Sequence, residues 1–268
     1  MNKKMKVGLA LSSGGYRGLA HIGVIKVLME NRIPIDFVSG ASAGSLVGAY
    51  LALFGEVDSL EKLILKNSKD FLPMFFDFSL IGGFIKGDKL QIYLDKIFHK
   101  AQFSQTKIPL YIIATDLVSG QPVTLSSGKI VPAVLGSISV PLIFRPLGFK
   151  EKLLVDGGLS DPVPVNILKK SGAEKVIAVN LYHKNEFVNK DFTISKVALR
   201  STRIALHNLS KISVHDADII LNPDTSTYLE SIKVSKYFEP ENVKKIISIG
   251  EKEARRYIPE IKKQLGML

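Results

Sequence analysis

The sequence predicts an α/β fold built on a largely parallel sheet. Two observations carry that prediction. Short apolar runs, Val176–Leu181 the clearest, read as strands buried on both faces. Between them lie segments whose apolar residues recur every three or four positions, the period of an amphipathic helix. Buried strands that alternate with helices along a chain form sheets whose neighbours run parallel.

The elements follow in order. Lys6–Leu11 is a buried strand, and the loop Ser12-Ser13-Gly14-Gly15-Tyr16 leads from it into a helix from about Arg17 to Asn31, with Leu19, Ile22, Val24, Ile25 and Leu28 on its apolar side. Asp36–Ser39 and Ser42–Phe54 make a second strand–helix unit, and Val57–Asn67 reads as an amphipathic helix. Residues 70–87 break the rhythm, with Phe71, Phe75, Phe76, Phe78 and Phe84 set among Pro73, Gly82, Gly83 and Gly87. Such a composition suits either core filling or an apolar cover over a site. Helix Asp88–His99, strand Leu110–Thr115, a short pair around Pro122–Leu125 and helix Val131–Ser137 come next. Strand Lys152–Val155 runs into Asp156-Gly157-Gly158. Helix Val163–Ser171, strand Val176–Leu181, a helix around Ser195–Val214, strand Asp218–Leu221 and a basic helix Pro240–Leu265 complete the chain. No repeat, low-complexity tract or linker interrupts it, so residues 1–268 read as one domain whose motifs fall within about residues 5–225.

Composition narrows the function. Cysteine is absent, which excludes disulfides and thiolate metal sites, and the five histidines have no metal-ligand spacing. No metal or other cofactor is expected. The net charge of +11 favours anionic surfaces. Its Lys and Arg are spread along the chain without a nucleic-acid motif, so the partner expected is not nucleic acid but, at most, an anionic membrane met peripherally. The stretch Met1–Leu11 resembles a leader, but its apolar run stops at Leu11 and Arg17 follows, so secretion is not expected. Residues 37–55 carry no charge, yet four Gly and three Ser interrupt them, which fits a buried strand–turn–helix better than a membrane span. The expected place is the cytoplasm, with contact at the inner face of the membrane.

Three turns concentrate the chemistry. Gly40-Ala41-Ser42-Ala43-Gly44 is a G-x-S-x-G sequence on the seam between a strand and a helix. A serine in so sharp a turn projects its hydroxyl at a helix N-terminus, where N–H groups favour developing negative charge, so Ser42 is the candidate nucleophile. Ser13-Gly14-Gly15-Tyr16-Arg17-Gly18 lacks the G-x-G-x-x-G and Walker patterns of nucleotide loops, because position 13 is serine and no Lys-Thr pair follows. Its glycines let backbone N–H groups converge, a geometry that suits an oxyanion hole or a plain tight turn instead. Asp156, at a strand end before two glycines, is the candidate general base. A histidine triad in the order Ser42, Asp156, His183 is the competing arrangement; His21, His207 and His215 lie on or near helices and suit local packing better.

Taken together, Ser12–Val24, Gly40–Gly44 and Asp156-Gly157-Gly158 resemble the glycine-rich, nucleophile and Asp-Gly-Gly motifs of the bacterial patatin-like phospholipase family. Gly136–Pro141 resembles a family segment near the active site. The resemblance implies a three-layer α/β/α sandwich, a Ser42–Asp156 dyad without histidine, and an oxyanion hole from Gly14, Gly15, Tyr16 and Arg17. It implies a phospholipid or other acyl ester as substrate. Two positions depart from the family pattern: Ser13 stands where a glycine is usual, and Tyr16 where a small residue is common. A triad esterase or acyltransferase, and a weakly active lipid-binding regulator, are the alternatives.

Overall fold

The computed structural model describes residues 5–67, 87–141, 143–183, 194–226 and 236–267. Residues 68–86, which hold the five phenylalanines and the suggested cover, lie outside them.

A core of five strands is parallel: β1 (Val7–Leu11), β2 (Phe37–Ala41), β3 (Leu110–Asp116), β7 (Lys175–Val179) and β8 (Ile219–Leu221). Three further short strands, β4 (Pro122–Leu125), β5 (Leu147–Phe149) and β6 (Lys152–Val155), are antiparallel. The order is β5-β6-β3-β2-β1-β7-β8, with β4 also paired to β3. The sheet is therefore mostly parallel, as expected, with a mixed edge that the apolar runs do not announce. β5 has no counterpart among the expected elements, being three residues of which none is buried.

Side-chain alternation splits the interior into two faces. On β1, Val7, Leu9 and Leu11 enter one cluster and Ala10 the other; on β7, Ile177 and Val179 oppose Val176 and Ala178. Helices α1 (Leu19–Glu30), α2 (Ala43–Phe54), α3 (Asp58–Lys66), α4 (Asp88–Ile97), α5 (Ile130–Ser137) and α8 (Pro240–Gln264) bury residues in the first cluster. The second face is covered by α6 (Val165–Lys170), together with Val214, which follows α7 (Ile194–Ser213). This is the α/β/α sandwich. The helix expected from Arg17 begins instead as a 3-10 turn, Gly15–Gly18, before α1.

The C-terminal helix α8 belongs to the same core. Val243, Ile246, Ile247, Ala254, Ile258 and Ile261 line its apolar stripe. Glycines let it meet α1 backbone to backbone, since a Cβ on Gly23 would lie 2.0 Å from the Ile247 carbonyl and one on Gly250 2.0 Å from that of Ala20. Among the described residues no helix is long and apolar enough to cross a membrane.

Candidate active site

Strand register brings the serine and the aspartate together. Ala41 of β2 pairs with Ile113 of β3, and Val155 of β6 pairs with Thr115 of the same strand from its other edge. The next residue of each strand, Ser42 and Asp156, therefore comes level with Ala114. Across β3 the Ser42 hydroxyl donates to Asp156 Oδ2 at 2.6 Å.

Ser42 sits in a conformation that L-residues rarely adopt, with φ 50° and ψ −121°. Strain of this kind costs about 1–3 kcal/mol and persists only where neighbours enforce it. Two serines and a glycine supply the enforcement. The Ser42 N–H donates to Ser137 Oγ (2.8 Å), whose hydroxyl donates to the Ile113 carbonyl (2.6 Å), and Ser45 Oγ donates to the Ser42 carbonyl (2.6 Å). Gly44 lies so close to the preceding turn that a Cβ there would be 2.1 Å from the Leu11 carbonyl. The turn thus ties the start of α2 to the end of β1.

Asp156 is equally fixed. Its N–H donates to the Ser139 carbonyl (2.9 Å), its carbonyl accepts from Thr115 Oγ1 (2.8 Å), and its Oδ1 accepts from the Gly158 N–H (2.8 Å). Burial pushes the carboxyl up from 3.8 to about 6, against the opposing pull of the Ser42 hydroxyl and the Gly158 amide. The result is a carboxylate that is ionised at neutral pH and a stronger base than an exposed aspartate.

The glycine loop lies beside both groups. Gly18 packs on Ala43, where a Cβ would fall 2.5 Å from the Ala43 Cβ, and a Cβ on Gly158 would be 2.6 Å from Ser13 Oγ. Gly15 takes φ 58° with open space where a side chain would stand. Among the described residues no acceptor takes the N–H of Gly14 or Gly15. Arg17 is buried, with Nε donating to the Gly14 carbonyl (3.2 Å) and Nη1 to the Leu181 carbonyl (2.7 Å). Its guanidinium braces the loop from behind. The Tyr16 ring stacks on Tyr237, centroids 3.8 Å apart, and flanks the loop on another side.

The histidines stand apart from this pair. His21 is fully buried, bonds the Ser12 carbonyl through Nε2 at 2.8 Å, and is pushed by burial down to about 4, so it is neutral. His183 Nδ1 lies 3.4 Å from Asp224, and exposed His215 lies 2.9 Å from Asp216. His207 is buried in α7. No histidine bonds Ser42 or Asp156 among the described residues, nor does any group of three or more acidic or histidine side chains there suit a metal.

Sequence reasoning did not single out Thr115, Ser137 or Ser139, which hold Ser42 and Asp156 in place. Only the small-residue run Gly136–Pro141 gave a signal for two of them.

Comparisons with known proteins bear on the family and the fold. The family model described as patatin-like phospholipase matches residues 9–169. An uncharacterised NTE family protein of Mycobacterium tuberculosis is 33% identical over 177 residues, covering 66% of this chain and 49% of the relative. The lysophospholipase NTE1 of Candida albicans is 30% identical over 179 residues, covering 65% of this chain and 13% of the relative. The chain thus spans half the length, or less, of the curated relatives it matches. The crystal structure of VipD from Legionella pneumophila superposes with a TM-score of 0.55 at 14% identity, over 92% of this chain and 67% of that one, a likeness of fold.

Proposed function

This chain belongs to the patatin-like phospholipase family, and from that premise we propose that it hydrolyses acyl esters of lipids, with Ser42 as nucleophile and Asp156 as general base. The observation that carries the proposal is the 2.6 Å bond from the Ser42 hydroxyl to a buried carboxylate pushed up to about 6.

A substrate carbonyl binds with its oxygen toward the N–H groups of Gly14 and Gly15 and the first turn at Tyr16 and Arg17. Asp156 takes the hydroxyl proton as Ser42 Oγ attacks, giving a tetrahedral oxyanion. Collapse expels the alcohol, which leaves with the proton from Asp156, and the acyl group stays on Ser42. A water then repeats the sequence: it loses its proton to Asp156, attacks the acyl-enzyme and frees the fatty acid. Asp156 remains a weaker base than an alkoxide by several pH units even at about 6. The donors must therefore carry much of the barrier reduction, at about 3 kcal/mol each. The positive end of α2 adds to them.

The substrate class is a phospholipid or lysophospholipid, reached by peripheral contact between the +11 chain and an anionic membrane. A fluorophosphonate probe tests the nucleophile directly. It should label the wild-type chain at Ser42 and leave Ser42→Ala unlabelled; labelling that survives in Ser42→Ala overturns the assignment. Binding to anionic vesicles should weaken with added salt, and salt-indifferent binding removes the electrostatic part of the proposal.

A further inference from the structure

A chain of contacts runs from the end of β7 to the catalytic aspartate through Tyr182. The Tyr182 hydroxyl lies 2.7 Å from Ser13 Oγ, and both residues are buried. Ser13 Oγ in turn lies against Gly158, where a Cβ would stand 2.6 Å from it and 3.0 Å from Asp156 Oδ1. The Ser13–Tyr182 bond therefore ends beside the carboxylate that receives the Ser42 proton.

The same segment grips the rest of the glycine loop. The Leu181 N–H donates to Ser12 Oγ (3.0 Å), Arg17 Nη1 donates to the Leu181 carbonyl (2.7 Å), and the Arg17 guanidinium lies 5.2 Å from the centre of the Tyr182 ring. The Tyr182 N–H donates to Asn180 Oδ1 at 3.0 Å, which fixes the tyrosine's own backbone. His21 Nε2 holds the Ser12 carbonyl at 2.8 Å.

We infer that Tyr182 is a positioning residue, which through its hydroxyl bond to Ser13 holds the glycine loop at a fixed distance from Ser42 and Asp156. The inference rests on the Ser42–Asp156 reading. Donors aimed at a developing oxyanion act only in the transition state, so a loop that drifts by a fraction of an ångström lowers kcat and leaves substrate binding nearly untouched. The Tyr182 ring already packs against Arg17, so the hydroxyl can be removed while the packing stays.

The test uses Tyr182→Phe and Ser13→Ala, singly and combined, with a soluble short-chain nitrophenyl ester, a fluorophosphonate probe and thermal unfolding. Each single variant should lower kcat and the labelling rate about tenfold, with KM within about twofold. The double variant should fall no further, because both substitutions delete one contact. Unfolding temperatures should stay within a few degrees of wild type; should Tyr182→Phe fail to fold, Ser13→Ala carries the same readout. An unchanged kcat and labelling rate, losses that multiply in the double variant, or a loss confined to KM overturns the positioning role. A wild-type chain that the probe does not label sinks the nucleophile and the positioning role with it, whereas normal wild-type labelling with an unaltered rate in Tyr182→Phe sinks the positioning role alone.

Discussion

Replacing Asp156 by asparagine should make the folded chain more stable at pH 8 and nearly inert toward esters. Burial raises the carboxyl from 3.8 to about 6. A raised folded-state pKa contributes stability that is fully present below 3.8, where both states are protonated, and that is lost as pH rises toward 6. Above that point the native state holds an ionised carboxylate where it would bind a proton more readily than the unfolded chain does. Two pH units correspond to about 3 kcal/mol. Asparagine has nearly the same shape, can keep accepting the Gly158 N–H, and carries no charge to bury. Urea denaturation at pH 8 should therefore show Asp156→Asn more stable by up to about 3 kcal/mol, with the gap shrinking below about 1 kcal/mol at pH 4. The same variant should lose about 10³-fold or more in kcat, since an amide cannot take the Ser42 proton. In the wild type kcat/KM should climb through about pH 6 as the carboxyl ionises. A stability difference equal at both pH values would refute the burial argument. A kcat within tenfold of wild type would refute the assignment of the base.

Ser42→Gly should be more stable than Ser42→Ala by about 1–2 kcal/mol, though neither turns over, because glycine enters φ 50° with ψ −121° without the strain an L side chain carries there; equal urea midpoints would mean the turn relaxes once the hydroxyl is gone. Gly44→Ala should lose about 3 kcal/mol or more together with activity, since its Cβ would fall 2.1 Å from the Leu11 carbonyl, and a soluble variant with wild-type melting would contradict that close approach. His21→Ala should cost about 3 kcal/mol by opening a cavity, yet keep measurable ester turnover. Its pH signature runs opposite to that of Asp156. The native imidazole is pushed down to about 4 while the unfolded one titrates near 6.5, so the unfolded chain takes the proton first and stability drops as pH falls through that window. The stability gap between wild type and His21→Ala should narrow from pH 7 to pH 5, and a gap that widens would show that the buried histidine is charged.

The sequence determined the features that are local. Apolar runs and helical periodicity marked the five parallel strands and their helices, because burial on both faces leaves its mark residue by residue. The turn at Gly40–Gly44 announced a strained serine, since only small neighbours permit such a geometry. Tertiary structure decided what depends on pairing. Strand direction leaves no trace in periodicity, so the antiparallel course of β5 and β6 emerged only from register, and with it the meeting of Ser42 and Asp156, 114 residues apart, over β3. The bonds from Ser137 to the Ser42 amide and from Tyr182 to Ser13 span 95 and 169 residues. Serine and tyrosine are common on any surface, and nothing in their own neighbourhood distinguishes a hydroxyl that will be buried against a distant loop. Burial itself, which raises Asp156 and silences His21, is likewise a property of what the whole chain packs around a group rather than of the residues beside it.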